Sequence, residues 1–412
     1  MNFFTKYQRV FMIIGFLLLV VAIGYLLYSL FVKPSISPAP APTPVATSTT
    51  GKLPNSGQGG QTNPTGTTTP GKIPNAGNNG QPAATKAAGG ITQTPAVSNN
   101  PAISPTTGAN GSGIQYYDQT DGKFYRIDNS GNVTPLSGQV FNDVSNVVWA
   151  PQKDKAIIEY PDNSKILYNF TTQKQTTLPA NWNEFDFSGD GSQIVLKSSA
   201  LDPENNYLAI SNADGTGQQI IEPVGTNGNT VVDSWSPNNQ TIAMYTQGVD
   251  LDRQEVFFVG KNDENFKSMI VEGHGFQPQW SPKGDQLAYS VYSSATDMKP
   301  ELWAVDAQGN AIGSGRRDLD VATFADKCVF ADNSTMYCGV PQSMPTGAGL
   351  FPELTQNTPD NLYKIDIQTG AKELVAIPNG NYTMSNLSVS ADGSSLFFQD
   401  SNTKIIHKVE LK

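Results

Sequence analysis

Six segments of this chain repeat one layout, and that repetition limits the fold more than any other feature. They are VWAPQKDKAIIEY at 148–160, FSGDGSQIVL at 187–196, WSPNNQTIAMY at 235–245, WSPKGDQLAYS at 280–290, FADNSTMYC at 330–338 and VSADGSSLFF at 389–398. Each opens on a large apolar residue (Trp149, Phe187, Trp235, Trp280, Phe330, Val389), continues through Ser or Ala into turn residues, and ends in an apolar run. The Pro, Asp, Asn and Gly between the runs supply turn dihedrals, so each segment predicts a hairpin. A second hairpin follows the first, as in YLAISNADGTGQQII at 207–221, LWAVDAQGNAIG at 302–313 and LYKIDIQTGAKELV at 362–375. KFYRIDNSGNVTPL at 123–136 matches these at the start of the repeats, and KIIHKVELK at 404–412 supplies one such strand at the end.

Alternating hairpins give four antiparallel strands per unit, and no helical period competes. A single unit of this kind leaves apolar surface on both faces. Packed radially, each unit covers its neighbours and leaves only short outer edges, so the sequence predicts an all-β propeller. The anchors recur every ~38–59 residues, a period of propeller size. Third strands number seven and first strands six, so the ring has six or seven blades; the third-strand count favours seven.

WSPKGDQLAYS and WSPNNQTIAMY carry a family likeness. The layout resembles the TolB-type propeller, whose repeat reads W-S-P-D-G-x-x-I-A-[FY], over residues 114–412. The resemblance implies a binding module of the cell envelope. It is a likeness of fold first, because no room exists here for the small α/β domain that precedes the propeller in that family.

The N-terminal third has another character. Residues 1–9 form a short tail, and Val10–Val32 is apolar and uncharged, long enough at about 1.5 Å per residue to span a ~30 Å hydrocarbon core. Lys6 and Arg9 precede it and Lys33 alone follows closely, a bias that predicts the N-terminus inside and the rest outside, as a single-pass signal-anchor. Cleavage in the Ala/Pro tract near Pro38–Pro44 is the alternative. Residues 33–113, rich in Pro, Thr, Gly and Asn with no aromatic, are expected to be a disordered linker. Within it GKLPNSGQGGQ at 51–61 recurs as GKIPNAGNNGQ at 71–81.

All 36 acidic residues lie at or after Asp118, against 20 basic ones there. This acidic excess argues against nucleic acid as a partner. An envelope protein, an extracellular protein or a glycan is the expected partner, alongside the membrane. Cys328 and Cys338 flank a tight turn near Asn333, which predicts a disulfide across one hairpin in an oxidising compartment. Neither histidine belongs to a metal-ligand spacing, so no metal or cofactor is expected.

In a four-stranded blade the second turn and the crossing to the next blade share one end. The longer connections lie there, and such loops on a rigid scaffold are where binding residues collect. The candidates are Trp182, Asp250, Asp252, Arg253, His274, Phe276, Met298, Arg316 and Arg317, together with Met344, Leu350 and Phe351 from the longest connection. Asp250 and Asp252 read either as solvated loop carboxylates or as a calcium site. No G-x-S-x-G elbow is present, and a catalytic triad is improbable with only His274 and His407 available, so no enzyme is expected. The leading function is a tethered extracytoplasmic binding module. The alternatives are a propeller enzyme acting on polysaccharide or peptide, and a structural surface-layer element.

Overall fold

In the computed structural model the described residues are Leu19 and 82–411, apart from 263 and 265. The expected membrane segment (Leu19 excepted) and the linker up to residue 81 lie outside them. Among the described residues no helix is long and apolar enough to cross a membrane.

Seven sheets follow one another along the chain, spanning 102–135, 146–178, 182–223, 231–271, 274–318, 328–378 and 384–410. We number them blades 1 to 7. Each is an antiparallel meander running from an inner to an outer strand. The ring therefore has seven blades.

Why the repeat residues recur is visible at the junctions. Each pair of neighbouring blades holds its own apolar cluster, and the seventh cluster joins blade 7 to blade 1 through Phe397, Ile406, Ala102, Ile114 and Ile127. Between blades 1 and 2 the buried ring of Phe124 lies edge-on to Phe141, Trp149 and Phe170, at centroid distances of 5.3, 5.6 and 4.9 Å. Trp149 Nε1 donates to Ser104 O of the preceding blade (2.8 Å), and Trp280 Nε1 reaches Ser234 O in the same way (3.4 Å). Trp235 is buried, and its backbone N–H donates to Asp186 Oδ2 of the preceding blade (2.7 Å). The repeated layout of the hairpin is thus adhesive between blades as well as structure within one.

Where a Ser follows the anchor, it organises the first turn. Ser236 Oγ accepts from Thr241 N (2.9 Å) and donates to Asn238 Oδ1 (2.7 Å); Ser390 does the same with Ser395 N and Asp392. These turns then link sideways. Gln152 Nε2 donates to Gly189 O, Gly189 N to Asn239 Oδ1, Asn238 Nδ2 to Gly284 O and Lys283 N to Asn333 Oδ1, over 2.6–3.2 Å. One end of the ring is therefore a belt of short, cross-bonded turns.

Closure corrects the expected domain boundary. Residues from 82 onward belong to the propeller, although the sequence assigns everything before 114 to the linker. Ala102–Thr107 is the inner strand of blade 1. Residues 94–98 run along the outer edge of blade 7, where Val97 N donates to Ile406 O (2.8 Å) and Lys408 N to Pro95 O (3.0 Å). Ile91–Thr92 pairs parallel with the outer strand of blade 6, Lys372–Pro378. Blade 7 has three strands among the described residues, Met384–Val389, Ser395–Asp400 and Ile406–Glu410, and the N-terminal arm lies along its open edge through the Ala96–His407 bridge. The arm is ordered by main-chain pairing to edges already formed, which needs little apolar content of its own, so composition does not reveal it.

Candidate functional site

The two ends of the ring differ. Opposite the belt of short turns, the second turns of blades 4, 5 and 6 are bonded into one ridge. Asp252 accepts from the Ser294 backbone N–H (2.7 Å) and hydroxyl (2.8 Å), joining blade 4 to blade 5. Gly347 N donates to Asp297 O (2.9 Å) and Gly349 N to Met298 O (2.8 Å), joining blade 5 to the long connection 342–359 of blade 6. That connection continues onto blade 7, where Thr383 Oγ1 donates to Gln356 O (2.8 Å) and Asn402 Nδ2 to the same oxygen (3.0 Å). Tyr292 lies between two glycines: a Cβ at Gly275, which has φ +67°, or at Gly349 would collide with its side chain. The ridge is thus fixed by backbone contacts that only glycine permits there.

The tips of this ridge are apolar and exposed. Val249 and Leu251 project from blade 4, and Leu350, Phe351 and Leu354 from blade 6. Leu201, in the second turn of blade 3, is fully exposed at the same end. Met298 and Met344 are half-buried.

Several candidate residues group here. The Arg253 guanidinium donates to Asp250 Oδ2 through Nε and Nη2 (2.8 and 2.6 Å) and holds that carboxyl below its usual range. The Ser294 bonds do the same for Asp252. His274 Nε2 lies 3.1 Å from Asp250 O. Both carboxylates thus serve loop structure. Among the described residues no group of three His, Cys, Asp or Glu is placed to hold a metal.

Other candidates are displaced from this surface. Trp182 and Phe276 are buried in the clusters between blades 2 and 3 and between blades 4 and 5, because each lies in the first residues of an inner strand and packs against the neighbouring blade. Arg316 and Arg317 follow the third turn of blade 5 and so lie towards the opposite end. Arg316 pairs with Glu272 (3.1 Å), and Arg317 Nη1 donates to Ile367 O in the third turn of blade 6 (2.9 Å). Cys328 and Cys338 are joined by a disulfide across the first hairpin of blade 6.

Beside the ridge a cavity of about 400 Å³ opens among blades 5, 6 and 7. Gln277, Phe324, Asp326 and Lys327 line one side, Pro352, Glu353, Thr355 and Gln356 another, and Thr383, Met384, Ser385 and Ser401 the third. Lys327 and Asp360 form a buried ion pair beneath it, 2.7 Å apart, and Asp360 Oδ2 also accepts from Met384 N (2.6 Å). Burial pushes the Asp360 carboxyl up, against the pull of Lys327. Asp326 is exposed at the opening, and desolvation by the groups around it raises its carboxyl against the pull of Lys327. Sequence reasoning passed over these residues. The one signal for them is that Lys327 and Asp326 adjoin Cys328, whose hairpin is pinned by the disulfide.

A second polar group lies further round the ring. Lys197 Nζ donates to Gly228 O and Val231 O (both 2.9 Å) and pairs with Glu184, while both oxygens of Asp233 are buried without a protein partner. Burial raises the Asp233 carboxyl well above its ordinary value.

No protein-family model matches the chain, and no curated protein does. Among solved structures it is similar to the β-propeller domain of Cps50 (Swd1) from Myceliophteria thermophila, at 11% identity over 77% of this chain and 100% of that one, with a TM-score of 0.51. It is also similar to an oligogalacturonate lyase in complex with manganese (14% identity, 76% and 88% coverage, TM-score 0.46). A third is the tricorn protease, of which it covers 34% (12% identity, 77% of this chain, TM-score 0.49). At these identities the likeness concerns the fold alone.

Proposed function

We propose that the chain is a membrane-tethered binding module that presents the ridge on blades 4 to 6 to a protein outside the cytoplasm. The observation that carries this reading is the ridge itself. Five large apolar side chains stand exposed on or beside connections that hydrogen bonds lock together, through the Asp252 carboxylate between blades 4 and 5 and backbone to backbone between blades 5 and 6. A surface of this kind is costly to leave in water and cheap to order on binding. The opposite end consists of short turns whose polar groups are already used within the ring. The apolar, uncharged segment 10–32 supports a single-pass anchor with the propeller outside, and the W-S-P-K-G repeat at 280–284 supports membership of the TolB-type class.

The test is co-purification of full-length protein from native membranes, comparing wild type with Leu350→Ser/Phe351→Ser and with Ile220→Ser on the outer strand of blade 3. The reading expects one partner that saturates, is lost with the ridge variant and is kept with the rim variant. Equal recovery with both variants, or turnover of a glycan or peptide by the pure protein, would overturn it.

A further inference from the structure

Resting on the binding reading, we infer that the cavity beside the ridge accepts the alkylammonium side chain of a lysine, carried by a partner segment with apolar residues on either side. The first argument is the charge left over in the cavity. Lys327 is the one cation in its wall, and its Nζ is committed to Asp360, with side-chain exposures of 8% and 0%. The remaining ionisable groups of the wall are Asp326 and Glu353, and among the described residues neither forms an ion pair. Lys327 also acts on Asp326, but with Asp360 beneath it the site holds three carboxylates against one ammonium, and that excess of negative charge favours an incoming cation.

The second argument is shape and polarity. Phe324, Pro352 and the Met384 side chain give the cavity apolar wall, while Thr355, Thr383, Ser385 and Ser401 offer hydroxyls at intervals. A lysine has the matching composition: a four-carbon stem that lies on apolar surface and a compact head with three donors. A sugar would look for an open aromatic platform, and Phe324 is only 7% exposed.

The third argument is continuity. Pro352, Glu353, Thr355 and Gln356 wall the cavity, and the same connection presents Leu350, Phe351 and Leu354 to solvent immediately beside it. An extended segment can therefore place apolar side chains on the ridge while a lysine enters the cavity. The acidic excess of the propeller favours approach of such a segment.

The experiment uses full-length protein in zwitterionic nanodiscs and three synthetic probes. They are the blocked peptides acetyl-Gly-Leu-Lys-Leu-Gly-amide and its analogues with norleucine or Glu in place of Lys. Saturation-transfer NMR reads which peptide protons contact the protein, and titration gives relative affinities. The expected result is strongest transfer to the lysine εCH₂, weaker binding of the norleucine peptide and weakest of the Glu peptide, with the lysine preference fading as salt rises. Asp326→Asn/Glu353→Gln should abolish the preference of Lys over norleucine, a loss of about tenfold, while leaving the norleucine peptide unchanged. Leu350→Ser/Phe351→Ser should weaken both peptides alike. Equal binding of the Glu peptide, or a lysine preference that survives the double amide variant, would overturn the inference. Because the charge comparison among peptides needs no variant, a folding defect could not disguise the answer. If these probes fail while the ridge still captures its partner, the lysine assignment alone falls.

Discussion

At the scale of single residues, the ionisable groups under the loop surface determine what can be changed safely. Lys327 and Asp360 satisfy each other in a site where either charge alone would be stranded. Lys327→Met should destabilise the protein by about 3–5 kcal/mol in denaturant titration, and a second change, Asp360→Leu, should recover much of that loss. His407 gives a pH signature. Its ring is buried, its Nδ1 lies 3.0 Å from Thr94 O of the arm, and burial pulls its pKa below the ordinary 6.5. The folded state thus resists a proton that the unfolded chain accepts. The stability His407 contributes is present above about pH 6.5 and lost as pH falls through the lower folded value. The stability difference between wild type and His407→Gln should shrink between pH 7.5 and pH 5, measured by thermal melts. Asp186 shifts the other way: burial raises it to about 6, so its carboxyl carbon should titrate near pH 6 by NMR rather than near 3.8. None of these pairings is legible in the sequence, because Lys327 and Asp360 are 33 positions apart and His407 meets a residue 313 positions away. Trp182 and Phe276 misled for a related reason. A residue at the mouth of an inner strand reads as loop, and only the neighbouring blade shows that its ring is packed.

At the scale of elements, the repeats were legible because their turns are built from side chains that name their own geometry. Ser236, Asn238 and Thr241 make the turn of blade 4 from residues within six positions, and the same grammar recurs in blades 3 and 7. The N-terminal arm has no such grammar. AISPTT at Ala102–Thr107 contains a proline and a Ser104 at φ +45°, and its register shifts between Ile103 and Thr106, so alternation is broken where it would have signalled a strand. Val97→Pro removes the N–H that bonds Ile406 O and should cost about 1 kcal/mol or more, with new proteolytic cleavage in residues 90–100. The long connection of blade 6 makes a contrasting case. Gly349→Val would collide with Tyr292 and should unseat the connection, seen as faster amide exchange over 343–357, while the melting temperature moves by only a few degrees.

At the scale of the whole molecule, the two ends of the ring are built differently. Seven apolar interfaces and the belt of short turns hold the blades, and truncating a residue inside one of them should be felt globally: Phe124→Ala is expected to cost about 3–5 kcal/mol. Freed from that work, the opposite end carries long connections locked into a ridge with apolar tips. The ring could be foreseen from the repeats, and its closure by residues 82–107 could not, since edge pairing is written in backbone groups. The most direct measurement is photo-crosslinking in intact cells with the reactive residue placed at Phe351 or Leu251 on the ridge and, separately, at Ser192 or Gln240 on the belt. The account predicts a discrete adduct from the ridge positions and none from the belt. Adducts from the belt alone, or indistinguishable patterns from both ends, would contradict it.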